Sequence, residues 1–447
     1  MNIRVEEVSY SYDDYLYRTP IKFGGVVVDR ATILNVNASV RTVDGRVIRG
    51  FGSMPLSNTW AFPSKIMSYD TTLGAMKSLA QSIAQLTTGA KEFGHPIDIN
   101  ITLEPLYLEA ARKVTQELKL AEPIPKLCTL VTASPFDAAV HDAFGKAHGL
   151  SSYRTCGPDF MAHDLSFYLG RDFTGEALSS YLLMNPVPRL PVYHLVGAVD
   201  PIYPSDIKKP VGDGLPETLS DWIRYNGLNH LKIKLNGNDL EWDVERVIRV
   251  DEATAETQKE LRVDRWVYSL DFNEQCPDVE YLLEFLYRLK ESDTGAYDRI
   301  QYIEQPTARD LENHPHNLVH KAAALKPVVI DESLTGLDQL ILAREMGYSG
   351  AALKACKGQS QSLLLAAAAQ KHKMFLCVQD LTCPGASLIH SAGLAAHVPG
   401  VAAIEANARQ YVPEANRPWV SRFPGIFEIK NGAMETALLD QPGLGAV

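Results

Sequence analysis

The sequence predicts an α/β protein in which a closed barrel of parallel strands follows a smaller α+β domain. From Pro191 onward, eight short β-rich runs alternate with amphipathic stretches at intervals of roughly 25–35 residues, which is the rhythm of a β/α barrel. Before that point strands come first and helices follow, as is typical of an α+β domain. The 447 residues exceed one average domain and leave room for a barrel of roughly 250 residues with a partner domain.

The predicted N-terminal domain begins with strands. Residues 1–52 are rich in β-forming residues, and the V-D-G sequence at 43–45 predicts a hairpin between two such runs. Apolar residues at helical spacing then predict a helix over 70–88. A further helix is predicted over 134–149, with Ser134 as its cap.

The domain boundaries follow from where these patterns change. We place the N-terminal domain at residues 1–150 and the barrel at 191–420. The segment 151–190 fits neither pattern, so we interpret it as an insertion or linker, and a second irregular stretch covers 199–217. The eight predicted barrel strands are, in chain order, PVYHLVGA, HLKIKL, RWVYSLDFN, RIQYIEQP, KPVVIDES, GAALKA, MFLCVQD and VAAIEAN.

The composition excludes several classes of function. The formal net charge is -11, and no basic run is long enough for a nucleic-acid groove. The longest apolar run, LLLAAAA, is far too short to cross a bilayer. The six cysteines are scattered without a CxxC pair, and the first residues lack the layout of a signal peptide. We therefore expect a cytoplasmic enzyme with a small-molecule substrate and with neither nucleic acid nor membrane as a partner.

Polar residues cluster where the predicted barrel strands end. Barrel active sites lie at this C-terminal face. Because side chains alternate along a strand, Lys232 and Lys234 face one side of their strand, and Asp271 and Asn273 share a side of the next. The fourth, fifth and sixth runs end in further charged residues, namely Glu304, Asp331, Glu332, Lys354 and Lys357.

Three carboxylates end three successive predicted strands, namely Asp271, Glu304 and Asp331. Oxygen ligands that leave positions open for water or substrate suit Mg²⁺. A divalent ion that binds a substrate carboxylate stabilises the negative charge formed when the neighbouring carbon loses its proton. The sequence therefore predicts a Mg²⁺ site that serves the removal of a proton α to a carboxylate.

The lysines supply a base for that proton. A lysine must be neutral before it accepts a proton, so its pKa must fall from ~10.4 to roughly 7–8, a change worth roughly 4 kcal/mol. A neighbouring ammonium group and a nearby Mg²⁺ both lower the pKa of an amine. For Lys234, the first influence would come from Lys232 and the second from the ion held by the carboxylates.

Five short motifs carry these residues, namely KIK at 232–234, DFNE at 271–274, IEQP at 303–306, IDES at 330–333 and LK at 353–354. Together with their spacing they resemble the enolase superfamily. Within it they resemble the mandelate racemase/muconate-lactonizing enzyme family, in the muconate-lactonizing-like group with lysines on strands two and six. FDAAVHDAFGKAHG resembles the helix that leads into the family's barrel, and QPGLGAV resembles its C-terminal return, so the resemblance covers nearly the whole chain.

The resemblance implies a modified (β/α)7β TIM-type barrel with an α+β N-terminal capping domain. Residues 421–447 would return to the capping domain. Two loops rich in glycine and proline, around 19–25 and 50–60, would cover the barrel mouth. Members of the family are commonly oligomeric, so a homo-oligomer is expected.

The resemblance also implies a role for each motif residue. Lys234 would be the base on one face of the substrate, and Lys354 the acid or base on the other. Lys232 would steady the substrate carboxylate and tune Lys234. The residues that would bind Mg²⁺ are Asp271, Glu304 and Asp331.

Two departures from the family pattern bear on the site. A single glycine follows the sixth-strand lysine where the family often has two, so Lys357 competes with Lys354 for the role. Dipeptide epimerases have an Asp-x-Asp after strand eight that binds the substrate ammonium, where this chain has Glu405 and Asn407, so an ordinary dipeptide is not the expected substrate. The residues expected to orient the metal ligands or contact the substrate are Asn273, Glu332, Glu405 and Asn407.

Two opposed lysines suit racemisation or epimerisation of an amino-acid or related carboxylate, since one removes the proton and the other returns it. The same pair would serve a dehydratase, which eliminates water from a hydroxy acid or acid sugar, or a cycloisomerase. The residues leave these outcomes open. More distant alternatives are a barrel lyase in which Lys354 forms a Schiff base, which needs no Mg²⁺, and a non-catalytic barrel.

Overall fold

The computed structural model describes residues 2–23 and 26–447. The chain begins with an antiparallel sheet of three strands in the order β1-β2-β3. The turn that joins β2 to β3 lies at 43–46, where Gly45 has a φ of 91°, so the predicted hairpin is confirmed. The two expected loops are mostly regular structure, since residues 19–23 end the first strand, residues 50–55 belong to the third strand and residues 58–61 form a short helix. Residues 24 and 25 lie outside the described residues. The strands are β1 (Ile3–Phe23), β2 (Val26–Thr42) and β3 (Val47–Pro55).

Four helices follow the sheet, and the last of them lies directly across it. A Cβ atom on Gly50 or Gly52 of β3 would stand 2.1 or 2.0 Å from a carbonyl oxygen of that helix, so this close approach requires glycine. The helix predicted over 70–88 is confirmed as the second of the four. The helices are α1 (Asn58–Ala61), α2 (Tyr69–Gly89), α3 (Pro96–Glu117) and α4 (Lys126–His148).

The predicted start of α4 was wrong. Ser134 does not cap this helix but lies inside it, and its Oγ donates to the carbonyl oxygen of Val131 at 2.8 Å. The helix begins at Lys126, and almost all of its residues from Leu127 onward are buried. A helix that is buried on every side has no alternation of apolar and polar faces, so periodicity could not reveal its first turns.

The segment between α4 and the barrel contains little regular structure, namely α5 (Leu165–Leu169) and three short 3-10 turns. It lies against the outer layer of the barrel. The backbone N–H groups of Leu183 and Val187 donate to the carbonyl oxygens of His397 and Ala396, at 2.8 and 2.9 Å.

Eight parallel strands close into a barrel, because the last of them pairs back onto the first. Each predicted β-rich run overlaps one of these strands, and the first strand begins two residues before its run. The prediction of a parallel α/β barrel with an α+β N-terminal domain is therefore confirmed. The barrel strands are β4 (Arg189–Val196), β5 (His230–Lys234), β6 (Val267–Asp271), β7 (Ile300–Glu304), β8 (Val328–Ile330), β9 (Gly350–Leu353), β10 (Phe375–Val378) and β11 (Val401–Glu405).

Helices surround the barrel and continue beyond its last strand. Among the described residues, no helix is long and apolar enough to span a membrane. The helices between the strands are α6 (Leu219–Asn226), α7 (Leu240–Leu261), α8 (Val279–Ser292), α9 (Thr294–Asp298), α10 (His320–Ala323), α11 (Leu337–Glu345), α12 (Gln359–Lys371) and α13 (Ala386–His397). Those after the last strand are α14 (Ala408–Tyr411), α15 (Pro413–Val420) and α16 (Pro424–Phe427).

The end of the chain joins the two parts of the molecule. Strand β12 (Ala433–Glu435) pairs antiparallel with β4. Beyond it, the N–H of Leu444 donates to Oδ1 of Asp142 on α4 at 2.8 Å, and the other carboxylate oxygen accepts from the N–H of Phe51 on β3 at 2.9 Å. Asp142 thus ties the last residues to both the helix and the sheet of the N-terminal domain.

A packed layer fills the barrel below the ends of its strands. The rings of Tyr193 and Tyr302 meet edge to face, with centroids 5.7 Å apart. This layer forms a dry floor beneath the polar residues at the strand ends. Its buried members are Tyr193, Tyr302, Val329, Ala352, Cys377 and Ala403.

Candidate active site

The residues predicted to carry catalysis and metal binding meet at the C-terminal mouth of the barrel. Asp271 of β6 is the register partner of both Lys234 on β5 and Glu304 on β7. Asp331 directly follows β8, and Lys354 directly follows β9. We call these residues together with Lys232 the mouth cluster, and none of its six residues is more than 4% exposed.

Lys232 stands between three carboxylates. Its Nζ lies 3.0 Å from Asp271 Oδ2, 2.8 Å from Glu304 Oε1 and 3.0 Å from Glu405 Oε2. Burial alone would lower the pKa of Lys232, but the three negative charges outweigh it and raise the pKa well above its usual value. Lys232 therefore stays protonated and joins the ends of the third, fourth and eighth barrel strands.

Lys234 is held by Asp271 and Asn273. It forms an ion pair with Asp271, and its Nζ lies 3.0 Å from Asn273 Oδ1. The N–H of Asn273 donates to Asp271 Oδ1 at 2.8 Å. Asn273 has a φ of 44°, in the left-handed region that asparagine tolerates better than most residues. The turn after β6 thus brings one side chain into contact with both a predicted base and a predicted metal ligand.

Asp331 joins the two lysines that follow the sixth barrel strand. Its Oδ2 lies 2.8 Å from Nζ of Lys354, and its Oδ1 lies 3.2 Å from Nζ of Lys357. The ring of Trp60, from the short helix α1, covers both ammonium groups at 4.5 and 5.6 Å from its centroid. Such cation–π contacts exclude water from the lysines while keeping their charge stabilised.

The two lysines face different surroundings. Charges on Glu304 and Glu405, inside the barrel mouth, act on Lys354. Lys357 instead donates to the backbone oxygen of Asp331 and lines a small recess against α3 and α4. Of the two, Lys354 is the one that faces the mouth cluster.

The pKa of Lys354 differs from the lowered value that a lysine base requires. Burial alone would lower the pKa of Lys354, but attraction to Asp331 raises it overall. Burial lowers the pKa of Lys357 instead. A divalent cation on Asp331 would weaken the attraction that holds the proton on Lys354.

Gln379 is a site residue that sequence reasoning missed. It follows β10 directly, and its Nε2 donates to Glu304 Oε2 and lies 3.2 Å from the hydroxyl of Tyr302. Burial raises the pKa of Glu304 well above its usual value, and repulsion by Asp271 adds to this shift. The signal available in the sequence was position alone, since the seventh β-rich run also ends in polar residues.

Asp380 is a second residue that sequence reasoning missed, and it fixes the backbone just after the eighth barrel strand. Its carboxylate accepts from the backbone N–H groups of Thr382 and Asn407, each at 3.0 Å. Burial, with repulsion from Glu405, raises the pKa of Asp380 to about 7. The side chain of Asn407 donates to Glu405 Oε1 at 2.5 Å, so the two eighth-strand residues contact each other as well as Lys232 and Asp380.

Glu332 contacts helix α1 through Trp60. Its Oε1 accepts from the indole N–H of Trp60 at 2.9 Å. Burial, together with the charge of Asp331, raises the pKa of Glu332 to about 7. The contact fixes the orientation of the Trp60 ring over the lysines.

The residues present fit a Mg²⁺ ion in donor type and in charge. The region holds six carboxyl groups and four ammonium groups, so full ionisation leaves two negative charges, which one divalent cation would balance. Among the described residues, no three acidic, histidine or cysteine side chains are grouped as they would be around a metal ion. The three carboxylates nearest to Lys232 surround its ammonium group instead. The six carboxyl groups are Asp271, Glu304, Asp331, Glu332, Asp380 and Glu405, and the ammonium groups are Lys232, Lys234, Lys354 and Lys357.

A cavity of about 180 Å³ opens beside Lys234. Its walls are almost all polar, and Lys22 of the N-terminal sheet contributes an ammonium group. The side of the mouth near Lys354 is instead covered by Trp60. The residues that line the cavity are Lys22, Ala198, Lys234, Leu235, Asn236, Asn238, Asp239, Asn273 and Gln275.

The sequence of residues 215–447 matches the family model described as enolase C-terminal domain-like. The chain belongs to this family. The resemblance to the enolase superfamily that the strand-end motifs indicated is thereby confirmed. The matched region begins just before α6 and contains every residue of the mouth cluster.

Solved structures of the superfamily share the fold over the full length of this chain. The N-succinyl Arg/Lys racemase from Bacillus cereus is 15% identical, with a TM-score of 0.63 over 100% of this chain and 95% of that one. The dipeptide epimerase from Cytophaga hutchinsonii, complexed with Mg and D-Ala-L-Val, is 18% identical, with a TM-score of 0.61 over 100% and 96%. The muconate lactonizing enzyme from Pseudomonas fluorescens, complexed with muconolactone, is 16% identical, with a TM-score of 0.60 over 100% and 97%. No curated protein sequence matches the chain.

Proposed function

We propose that this chain is a Mg²⁺-dependent racemase or epimerase that exchanges the proton α to a substrate carboxylate between Lys234 and Lys354. One observation carries the proposal. The two lysines end the second and sixth of eight barrel strands, so they stand on opposite sides of the mouth. Each is paired with a different carboxylate, Lys234 with Asp271 and Lys354 with Asp331.

Three carboxylates on successive strands would hold the cofactor, namely Asp271, Glu304 and Asp331. When bound, Mg²⁺ would stabilise the negative charge that develops on the substrate carboxylate. Its presence in the epimerase from C. hutchinsonii, which has the same fold, supports this assignment. Lys232 would remain charged and steady the same carboxylate, since its surroundings favour the ammonium form.

The lysines would divide the proton transfer between them. With the α-carbon between the two amines, the neutral lysine takes the proton from one face and the charged lysine gives a proton to the other face. The configuration is thereby inverted, and the two lysines exchange roles in the reverse direction. Trp60 would keep water from the Lys354 side, so that the proton delivered there comes from the lysine.

The eighth-strand residues favour a substrate without a free α-ammonium group. Glu405 already binds Lys232 and Asn407, and the second acidic residue that would help bind an ammonium is an amide in this chain. An N-acylated amino acid meets this requirement. Its distal part would occupy the polar cavity beside Lys234.

Proton NMR in D₂O tests the proposal directly. A panel of N-acyl amino acids, free amino acids, dipeptides and acid sugars is incubated with the protein, with Mg²⁺ or with EDTA. We expect α-proton exchange with inversion that requires Mg²⁺. In Lys234→Ala and in Lys354→Ala the inversion should be lost and the exchange confined to one enantiomer, while Lys357→Ala serves as the matched control. A new keto product in place of the inverted substrate would show dehydration and overturn the racemase assignment. Calorimetry that detects no Mg²⁺ binding would overturn the metal assignment.

A further inference from the structure

Arg409 is a buried cation outside the mouth cluster. It lies on α14, beyond the eighth barrel strand, and is 8% exposed. Its Nη1 donates to Oδ1 of Asn226, its Nη2 contacts Nδ1 of His194, and its Nε has no hydrogen-bond partner. Within the described part of the chain, no carboxylate forms an ion pair with Arg409.

The immediate neighbours of Arg409 do not balance its charge. Burial lowers the pKa of Arg409 to about 10, so the guanidinium remains charged at neutral pH. Burial, with repulsion from Arg409, lowers the pKa of His194 well below its usual value, so that the imidazole is neutral. The charge of Asp380 reaches Arg409 without forming an ion pair. Buried charges are ordinarily paired, so Arg409 lacks the counter-charge that such a position requires.

A cavity of about 350 Å³ opens against Arg409 on the outer side of the barrel, between α6 and the helices after the last strand. Its walls are mainly aromatic and aliphatic, and they include Leu215, Trp222, Tyr225 and Phe427. The ring of Trp222 lies with its centroid 5.3 Å from Cζ of Arg409. The volume falls within the range of small-molecule sites, which is roughly 300–1,000 Å³.

Two other charged residues, Glu428 and Lys430, also line this cavity. They contact each other at 3.9 Å, with exposed side chains at 53% and 74%. Their charges therefore offset each other in water, while that of Arg409 does not. The cavity thus combines an apolar body with a single uncompensated cation.

We propose that this cavity is a second binding site, separate from the mouth cluster, for a small organic anion with one carboxylate and an aromatic or aliphatic body. The carboxylate supplies the counter-charge to Arg409, and the body occupies the apolar walls beside Trp222. A single arginine suits a monoanion, since a polyphosphate needs several cations or backbone N–H groups.

Thermal unfolding of the full chain with benzoate as the probe tests this site. EDTA is present, and the buffer contains no other carboxylate or phosphate. We expect benzoate to raise the melting temperature and its neutral counterpart benzamide to leave it unchanged. Arg409→Met should abolish the benzoate shift. Lys430→Gln should keep it, because Lys430 lines the same cavity but is paired with Glu428.

Further variants separate this site from the proposed active site. Lys354→Ala should keep the benzoate shift, whereas a shift lost in Lys354→Ala and kept in Arg409→Met would overturn the proposal without affecting the proposed function. Leu215→Trp fills the cavity and leaves Arg409 in place, so it should weaken benzoate binding at least tenfold even where Arg409→Met fails to fold. The absence of any benzoate shift in the parent protein would also overturn the proposal.

Discussion

Two buried polar clusters in this molecule both contain carboxylates and differ in the partners of those carboxylates and in the opening beside them. The mouth cluster has three carboxylates and three lysines, and a cavity of about 180 Å³ adjoins Lys234. The second cluster joins α4 to α12 and consists of Asp137, His141 and Ser360. There Ser360 donates to Asp137 from its Oγ at 2.7 Å and from its N–H at 2.8 Å.

The second cluster has the composition of a nucleophilic triad without its arrangement. In a triad the base contacts the hydroxyl and a third group orients the base. Here both Asp137 and His141 contact the hydroxyl of Ser360, with His141 Nε2 at 2.9 Å from the Oγ. Burial lowers the pKa of His141 to about 3, so the imidazole is neutral. Residue type alone therefore does not mark a reactive site, whereas opposed lysines and carboxylates beside an opening do.

The largest expected effect comes from the two opposed lysines. Lys234→Ala and Lys354→Ala should each lower the racemisation rate by ~10²–10⁴-fold, the usual contribution of a general acid or base. Each variant should still exchange the α-proton of one substrate enantiomer, because the remaining lysine faces one side of the α-carbon. Deuterium incorporation into each enantiomer, followed separately by NMR, measures both effects.

Lys357→Ala is the matched control for these variants, since Lys357 contacts the same carboxylate from the outer side. Its racemisation rate should stay closer to that of the parent than the rate of Lys354→Ala does. A larger loss of racemisation rate in Lys357→Ala than in Lys354→Ala would assign the proposed acid or base role to Lys357 instead.

Ser360→Ala tests the structural character of the second cluster. The variant leaves Asp137 and His141 without their shared partner, which should lower the free energy of unfolding by about 1–3 kcal/mol. Urea denaturation measures this change, with Ser391→Ala as a buried serine that bonds only within its own helix. The rate of proton exchange should be unchanged at a temperature where the variant is folded. A rate loss as large as that of a lysine variant would make this cluster part of the chemistry.

The parts of the site that could be predicted from the sequence depend on local geometry. Strand period and strand ends suffice to bring Lys234, Asp271 and Glu304 to one face, since neighbouring barrel strands align their ends. Their positions at strand ends also predict that Asp331 and Lys354 lie at this face. The fold class could be predicted because the eight β-rich runs alternate with helices along the chain.

The parts that could not be predicted depend on contacts between distant segments. Trp60 covers Lys354 across almost three hundred residues of sequence, and no local pattern fixes how the short helix α1 meets the barrel. Gln379 has the same strand-end position as the predicted residues, but an amide carries no charge to mark it as a partner of Glu304. The start of α4 escaped prediction for a different reason, since a fully buried helix lacks periodicity.

Lys22 tests whether the open side of the mouth, beside Lys234, binds part of the substrate. No hydrogen bond or ion pair joins it to another described residue, and it lines the cavity beside Lys234. Under the proposed function, Lys22→Gln should raise KM about tenfold for a substrate with an anionic distal group, which corresponds to the loss of one charged hydrogen bond. KM for a substrate with a neutral distal group should change less. Lys209→Gln, in the neighbouring cavity of about 370 Å³, should leave both values unchanged.

The smallest expected effect is the pH dependence that Asp137 gives to stability. Burial raises its pKa to about 6 from the usual 3.8. The folded state therefore binds this proton more tightly than the unfolded state, and the free energy of unfolding falls as pH rises from about 4 to about 6. Asp137→Asn removes this contribution, so its stability relative to the parent should improve by about 1 kcal/mol between about pH 5 and pH 7.

The difference in the free energy of unfolding between parent and variant, taken at each pH, separates the effect of Asp137 from that of the buried histidines. Burial lowers the pKa of His95 to about 3 and that of His390 to about 4, so these groups favour the folded state above about pH 6.5 and act in the opposite direction as pH falls. Their contribution is common to both proteins and cancels in the difference. A stability difference that does not change with pH would mean that Asp137 is ionised throughout this range.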